Sequence, residues 1–451
     1  MLSARAAGVL LHLGSLPESW GPPLGPAALR FADWLAAAGQ SWWQMLPVGP
    51  PGPGASPYSS PSSFAGDPGL LRGPGRRCAP AFAVAEDELA AFRRRNRDWL
   101  PDWCLYAAIK EARGGAPWWR WPAPLRQRSA ADLKSARREL GPAVERHELE
   151  QMLFHLRWAE LRAHCRDQGL RLLGDLPLFV ELDSADVWAH RELFRLDAAG
   201  KPTVVTGVPP DLFSRSGQRW GHPHYRWAAH RREGFRWWLR RFQACLERFD
   251  AVRIDHFIGL HRVWEVPPRA RTARRGRWGR TPGRELLEAL RSKLRRELPL
   301  VAEDLGVMTP EVRRLRDDFG LPGMRVLQWA FWPGARADRP HAHTARTVVY
   351  TGTHDNDTTQ GWLPALPADV RRRALAYTGG SPATIHRDLA RAAFGSPAVL
   401  AVVPMQDHLG LGAGARMNRP GTADGNWTWR LSARQPSQAL ARDLRVLTKT
   451  F

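Results

Sequence analysis

The chain has 451 residues, of which 43% are hydrophobic and 24% charged, so it has the composition of a folded globular protein and not of a disordered one. Its formal net charge of +22 comes from 66 lysine and arginine residues against 44 acidic ones. Most of the basic residues are arginines spread along helix-like segments, with no recognisable nucleic-acid-binding module. A general compositional preference therefore explains the charge better than nucleic-acid binding does.

Cysteine usage and the apolar segments indicate the compartment. The four cysteines are far apart and lack the CxxC spacing of a zinc site, so neither a metal site nor a disulfide framework is expected. The N-terminal AAGVLLHLG has no signal-peptide cleavage site, and no apolar run approaches the roughly 20 residues of a membrane helix. We therefore expect a cytoplasmic protein without a membrane partner. The cysteines are Cys78, Cys104, Cys165 and Cys245.

One pattern recurs along the chain: a short apolar strand, a polar or aromatic cluster at its end, and then a helical segment. The first strand is predicted at residues 8–13, and the helix AALRFADWLAAAG follows it. The second, at 41–48, runs into a Pro/Gly/Ser-rich loop whose length is typical of a functional loop. The other predicted strands are 171–180, 251–257, 298–306, 323–331, 347–357 and 400–408.

Eight such units predict a (β/α)8 barrel, although the sixth and eighth helices are weakly patterned. A doubly wound open sheet would carry a Gly-rich phosphate loop after an early strand, and none is present. We expect one barrel spanning 1–451 without a C-terminal β domain. It would carry a largely helical insertion at about 57–168, a loop-rich lid at about 181–226 and a short insertion at about 258–282.

Acidic residues stand at the predicted ends of the third, fourth, fifth and seventh strands. Because the C-terminal ends of barrel strands meet at one face, these acids should converge on one cleft. In the strand AVRIDHF, alternation places Arg253 and Asp255 on one side and Val252 and Ile254 on the other. A neighbouring guanidinium keeps a carboxylate ionised, whereas crowded carboxylates should include one with a raised pKa. The acids are Asp175, Asp255, Glu303 and Asp355.

An ionised carboxylate opposite a protonated one is the apparatus of retaining glycoside chemistry. The 22 tryptophans, against 5 tyrosines, favour sugar binding because flat aromatic faces pack on pyranose rings. The residue pattern alone is also compatible with a purely structural ion pair between Arg253 and Asp255.

A set of longer motifs extends over nearly the whole chain. They are SLPESWGPPLG, WWQMLPVGPPG, SPYSSPSSFAGDP, GDLPLFVELDSADVWAH, GVPPDLFSRSGQRWGHPHYRW, RIDHF, AEDLG, YTGTHDNDT and RMNRPGTADGNWTWRL. In these motifs and in their order the chain resembles the amylomaltases, the 4-α-glucanotransferases of glycoside hydrolase family 77. The resemblance implies a (β/α)8 barrel that transfers α-1,4-glucan segments from a maltooligosaccharide donor to a glucose or maltooligosaccharide acceptor, without a metal or other cofactor.

Carried over to this chain, the resemblance implies that Asp255 is the nucleophile and Glu303 the general acid/base. Asp355 would stabilise the transition state, with Asp357 as the rival for that role, and Arg253 would hold Asp255 ionised. The residues that would contact sugar are Asp175, His354, Tyr58 and Ser56, together with the lid aromatics Phe213 and Trp220.

The lid departs from the family pattern at two positions. Leu212 stands where the family more often has tyrosine, and His224 where an aliphatic residue is commoner, so the acceptor site is the least determined part. Two other functions stay open. An α-glucan hydrolase or cyclising enzyme of the wider amylase clan would normally add a C-terminal β domain, and a non-catalytic glucan- or nucleic-acid-binding protein would lack a catalytic acid.

Overall fold

A closed barrel of eight parallel strands forms the centre of the chain. The computed structural model describes residues 4–72, 85–210, 214–422 and 424–451. Each of the eight predicted strands overlaps one barrel strand, so the (β/α)8 prediction is confirmed and the open sheet is excluded. The barrel strands are β1 (Ala6–Leu10), β2 (Trp42–Gln44), β3 (Arg171–Leu176), β6 (Ala251–Ile254), β9 (Leu300–Ala302), β10 (Gly323–Val326), β11 (Thr347–Tyr350) and β12 (Leu400–Pro404), and β1 pairs with both β2 and β12.

Alternation along the strands separates two apolar clusters. Leu173 and Ala251 belong to the cluster inside the barrel. Val252 and Ile254 belong to the cluster between the strands and the surrounding helices. The next inward positions after Leu173 and Ala251 are Asp175 and Arg253, so polar groups begin where the apolar filling of the barrel ends.

Helices surround the barrel, with one exception. The sixth barrel strand, β10, is followed only by short 3-10 turns before β11, where Pro333 and Pro340 interrupt helix formation. The eighth unit has a helix, α16, which begins after a Ser437 cap and packs on α1. The helices are α1 (Ala28–Ala37), α2 (Glu86–Arg95), α3 (Leu100–Ala112), α4 (Ala123–Arg126), α5 (Ala130–Glu139), α6 (Gly141–Asp167), α7 (Ala185–Ala189), α8 (Trp227–Arg232), α9 (Arg236–Arg248), α10 (Gly283–Leu294), α11 (Pro310–Asp318), α12 (Thr359–Ala365), α13 (Ala368–Thr378), α14 (Ile385–Phe394), α15 (Met405–His408) and α16 (Gln438–Thr450).

A second, four-stranded antiparallel sheet joins the segments predicted as lid and short insertion. Its strand order is β5-β4-β7-β8, and Thr206 of β4 pairs with Glu265 of β7. The two segments were predicted as separate insertions, and their pairing makes one structural unit beside the barrel mouth. Its strands are β4 (Val205–Val208), β5 (Gln218–Pro223), β7 (Arg262–Val266) and β8 (Arg277–Arg280).

The helical segment between β2 and β3 comprises α2 to α6. The last of these, α6, packs against α1, β3 and α9, as a helix of the barrel does. Over the described ranges, every helix is too short or too polar to pass through a lipid bilayer.

Candidate active site

A buried ion pair closes the barrel interior below the mouth. Asp175 and Arg253 face each other on the neighbouring strands β3 and β6. Arg253 Nη1 donates to the two Asp175 oxygens at 2.8 and 2.7 Å, and the Tyr58 hydroxyl donates to Asp175 Oδ2 at 2.7 Å. The carboxylate is 0% exposed, so these hydrogen bonds replace the water that it loses on burial.

Asp255 is the first residue beyond β6. Its backbone N–H donates to Leu176 O at 3.0 Å, which continues the ladder to β3 and fixes the direction of the side chain. Arg253 Nη1 lies 3.0 Å from Asp255 Oδ1, which confirms that the two side chains share one side. The Asp255 side chain is 30% exposed whereas that of Arg253 is 5% exposed, so this carboxylate is held by a buried cation yet remains accessible from the cleft.

Glu303 is the first residue beyond β9 and faces the turn that follows Asp255. Its Oε2 accepts from the backbone N–H of His256 at 2.8 Å, and its Oε1 accepts from that of Leu305 at 2.9 Å. His256 has φ 51° and ψ 52°, the left-handed region that a residue with a Cβ enters at a cost. This strained turn aims an N–H at the carboxyl of Glu303.

The electrostatic environment distinguishes the two carboxyl groups. Burial and, to a smaller extent, the charge of Asp255 raise the pKa of Glu303 to about 7, against the opposing effects of Arg253 and of the two backbone N–H groups. The sequence-based expectation of one carboxyl with a raised pKa is thus met at Glu303. At neutral pH this site can hold a proton on Glu303 beside the charge of Asp255.

Asp355 and Asp357 follow β11, and they have different surroundings. Asp355 Oδ1 accepts from Asn418 Nδ2 at 2.6 Å and lies 3.5 Å from His354 Nε2. Asp357 Oδ1 accepts from the backbone N–H of Thr358 at 2.8 Å, at the start of α12. Asp357 therefore has a role in the helix terminus, whereas Asp355 faces the cluster around Tyr58, whose pKa it helps to raise after burial and Asp175.

The sugar-contact candidates are divided between this cluster and the lid. Tyr58 stacks on His354 with ring centroids 5.1 Å apart. Ser56 caps the turn that contains Tyr58, because its hydroxyl oxygen accepts from the Tyr58 backbone N–H at 3.3 Å. Trp220, in β5, meets the ring of His256 edge to face at 4.9 Å, so the lid sheet reaches the turn beside Glu303.

Of the three remaining lid residues, the structure describes only His224. Phe213 and Leu212 lie outside the described residues. His224 is 3% exposed and packs against Phe179, and burial lowers its pKa to about 4, so it is a neutral packing residue.

Two residues of the site were not identified from the sequence: Asn418, which donates to Asp355, and Trp427. The Trp427 ring lies 5.8 Å from that of Tyr58 and 6.0 Å from that of His354. Both belong to the motif RMNRPGTADGNWTWRL, which was noted as a whole without assigning its members. Trp427 has φ 64°, in the left-handed region, and nothing in the sequence indicates this backbone conformation.

Replacing Asn418 with alanine should lower kcat by about 10- to 100-fold, because a hydrogen bond to a charged group contributes about 1.5–3 kcal/mol. The loss should appear in kcat more than in KM, since Asn418 bonds to Asp355 and positions it. Initial rates with maltotriose measure both constants. Gln360→Ala is the matched control, because its amide bonds to Ala383 O and His386 instead. An Asn418→Ala variant as active as the control would contradict this positioning role.

Across the described residues, no group of three or more His, Cys, Asp or Glu side chains is arranged to hold a metal ion. Polar groups at the mouth are instead satisfied by one another, through Arg253, Tyr58, Asn418 and backbone N–H groups.

The fold and the site together identify the class of protein. A closed parallel barrel with charged side chains at the C-terminal strand ends is a (β/α)8-barrel enzyme, and unlike carboxyl groups at that face are the type of site that acts on glycosides.

The chain belongs to the 4-α-glucanotransferase family, glycoside hydrolase family 77, whose profile matches residues 11–74 and 76–435. It is 44% identical to a 4-α-glucanotransferase of Thermus thermophilus over 99% of this chain and 98% of the relative. It is 41% identical to one from Synechocystis over 100% and 98%. The structure of an amylomaltase from Streptococcus agalactiae in complex with acarbose matches with a TM-score of 0.94 and 32% identity, over 99% of both chains.

Proposed function

We propose that the enzyme transfers α-1,4-glucan segments between maltooligosaccharides by a retaining double displacement at Asp255. The observation that carries the proposal is the pair of unlike carboxyl groups: Asp255 beside the buried Arg253 cation, and Glu303 with its pKa raised to about 7. A retaining mechanism needs one carboxylate to attack and one carboxylic acid to protonate. The chain supplies both on neighbouring barrel strands.

In the first step the Glu303 proton goes to the glycosidic oxygen while a carboxylate oxygen of Asp255 attacks the anomeric carbon. The bond between that carbon and the glycosidic oxygen breaks, and the reducing-end fragment leaves. In the second step the ionised Glu303 takes the proton from the 4-hydroxyl of an acceptor glucan, which attacks the same carbon and releases Asp255. Two inversions give retention.

Asp355 is the proposed stabiliser of positive charge at the anomeric carbon, and it is preferred to Asp357 because Asp357 is engaged at the start of α12. Tyr58 and His354 are the proposed sugar contacts below the cleft, and Ser56 keeps a hydroxyl proton to donate. Asp175, which was predicted to contact sugar, is 0% exposed and bonded to Arg253 and Tyr58, so its proposed role is to position those two side chains. Trp220 and Phe213 are the proposed stacking faces of the lid.

Donor and acceptor are proposed to be α-1,4-glucans, with glucose as the smallest acceptor, and no nucleic acid or membrane takes part. We propose the cytoplasm as the compartment of the reaction, and the free thiols of Cys104, Cys165 and Cys245 support a reducing environment.

Purified protein incubated with maltotriose should release glucose together with a ladder of longer maltooligosaccharides, which chromatography of timed samples resolves. The ladder arises because a sugar hydroxyl, and not water, attacks the glucosyl-enzyme. Products no longer than maltotriose would mean that water is the acceptor, and would replace the transferase with a hydrolase. Unchanged maltotriose would contradict catalysis on this substrate class.

A further inference from the structure

A dense group of exposed arginines lies in the loop that connects β7 and β8, in β8 itself and in the facing segment at the start of β5. Six of the 14 residues in 267–280 are arginine, and no acidic residue occurs between Glu265 and Glu285. The neighbouring segment 214–219 adds two more exposed arginines. This group, the arginine patch, comprises Arg215, Arg219, Arg269, Arg271, Arg274, Arg275, Arg277 and Arg280.

The protein itself hardly neutralises the patch. Arg277 Nε bonds to Glu265 Oε2 at 2.9 Å, and that carboxylate is shared with Arg195. Among the described residues, the side chains of Arg269, Arg271 and Arg275 have no hydrogen-bond or ion-pair partner. These uncompensated positive charges repel one another, and an anionic ligand would relieve that repulsion.

The two arginine-bearing segments are held together as one surface. The Ala273 backbone N–H donates to Ser216 O at 3.0 Å, and Arg274 Nε donates to Arg215 O at 3.0 Å. Arg219 Nη2 donates to Pro268 O at 3.0 Å. Hydrogen bonds to backbone carbonyls therefore hold the two segments of the patch together, although they are about 50 to 60 residues apart in sequence.

The patch adjoins the proposed glucan cleft. Arg219 is next to Trp220 in β5, and Trp220 packs on His256, whose backbone N–H donates to Glu303. Since adjacent strand residues point to opposite faces, Trp220 faces the cleft and Arg219 the outer surface. The arginine patch therefore begins one residue away from the lid tryptophan that reaches the cleft.

The patch also presents an aromatic face. Trp278 of β8 is 40% exposed, meets Trp264 edge to face at 5.2 Å and has the Arg262 guanidinium 4.1 Å from its ring centroid. An exposed indole among arginines offers a stacking surface for a pyranose and donors for an anion at the same place.

We propose that the arginine patch binds the phosphate monoesters of a phosphorylated α-glucan whose chain enters the neighbouring cleft. The phosphate follows from the charge, because a monoester carries about −1.5 to −2 charges and takes bidentate hydrogen bonds from guanidinium groups. The continuity with the cleft and the exposed ring of Trp278 indicate that the phosphate-bearing ligand is a glucan, and this part of the proposal rests on the proposed function. A single-stranded nucleic acid, the other polyanion that such a surface could take, lacks that continuity.

The test compares the variant Arg269→Gln, Arg271→Gln, Arg275→Gln with the control Arg113→Gln, Arg372→Gln, Arg442→Gln. Both lose three exposed charges whose side chains have no partner among the described residues, so neither should lose stability. Biolayer interferometry measures binding to immobilised phosphate-bearing amylopectin, to the same amylopectin after phosphatase treatment and to a single-stranded oligonucleotide. Disproportionation of maltotriose is measured in parallel.

Phosphatase treatment and the patch variant should each weaken binding by about tenfold, the combined effect of three exposed charge pairs of ordinary strength, and the control should bind like the parent. Maltotriose turnover should stay unchanged in both variants. Equal binding before and after phosphatase, or an equal loss in both variants, would overturn the proposal, as would tighter binding of the oligonucleotide. An absence of maltotriose turnover with the phosphate effect intact would contradict the proposed function and leave the patch as an anion site.

Discussion

Asp255→Asn is expected to lower maltotriose turnover by at least about 10⁴-fold while the fold stays intact, because an amide cannot attack the anomeric carbon and removal of a nucleophile costs up to about 10⁶-fold. The side chain is 30% exposed, and among the described residues it pairs only with Arg253, which keeps its two hydrogen bonds to Asp175. The thermal midpoint should therefore change little. Initial rates and thermal unfolding of the purified variant measure the two effects.

Asp102→Asn is a matched control for Asp255→Asn. The Asp102 side chain is 28% exposed and pairs with Arg128 at 2.6 Å in the helical insertion, so the substitution removes a comparable ion pair away from the barrel mouth. Its turnover should equal that of the parent. Near-normal turnover of Asp255→Asn would contradict the assignment of Asp255 as the nucleophile. Loss of cooperative unfolding in this variant would contradict the expectation that the fold tolerates the substitution.

The second large effect is expected for Glu303→Gln, which should lower turnover of maltotriose by about 10²–10⁴-fold, the usual contribution of general acid/base catalysis. The loss should depend on the leaving group. With α-maltotriosyl fluoride the first step needs little proton donation, so the glycosyl-enzyme should still form and its release should become limiting. Azide, which needs no general base, should then restore release as an α-glycosyl azide.

The pH profile tests the same residue in the parent enzyme. The first step requires protonated Glu303, whose pKa is raised to about 7 by burial and by the charge of Asp255. Glu303 is fully protonated well below that pKa, and the protonated fraction decreases as the pH rises through it. We therefore expect kcat/KM for maltotriose to fall above about pH 7, and this limb to be absent when Glu303→Gln reacts with the fluoride donor. A limb that persists in the variant would belong to another group.

The barrel was predictable because each strand has a local apolar pattern with polar residues at its C-terminal end. Asp175, Asp255, Glu303 and Asp355 could be placed on one face for the same reason, since the fold places all C-terminal strand ends together. The alternation that put Arg253 and Asp255 on one side follows directly from strand geometry. The irregular sixth unit, with proline-interrupted turns in place of a helix, agrees with its weak pattern.

Long-range contacts were not predictable from such local patterns. Pairing of β4 with β7 joins segments about 60 residues apart, and neither segment contains a signal for its partner. Asn418 and Trp427 reach the site from a loop without regular structure, so no periodicity points to them. The pKa of Glu303 depends on burial and on Asp255 together, which only the assembled mouth defines.

The most direct test of the account traps the intermediate. Glu303→Gln incubated with α-maltotriosyl fluoride, quenched in acid and digested, should yield one peptide with an added maltotriosyl group, and fragmentation should place that group on Asp255. The adduct should disappear when azide is added before quenching. An adduct on Asp355 or on another residue, or fluoride release without any adduct and with an inverted product, would contradict the double displacement at Asp255.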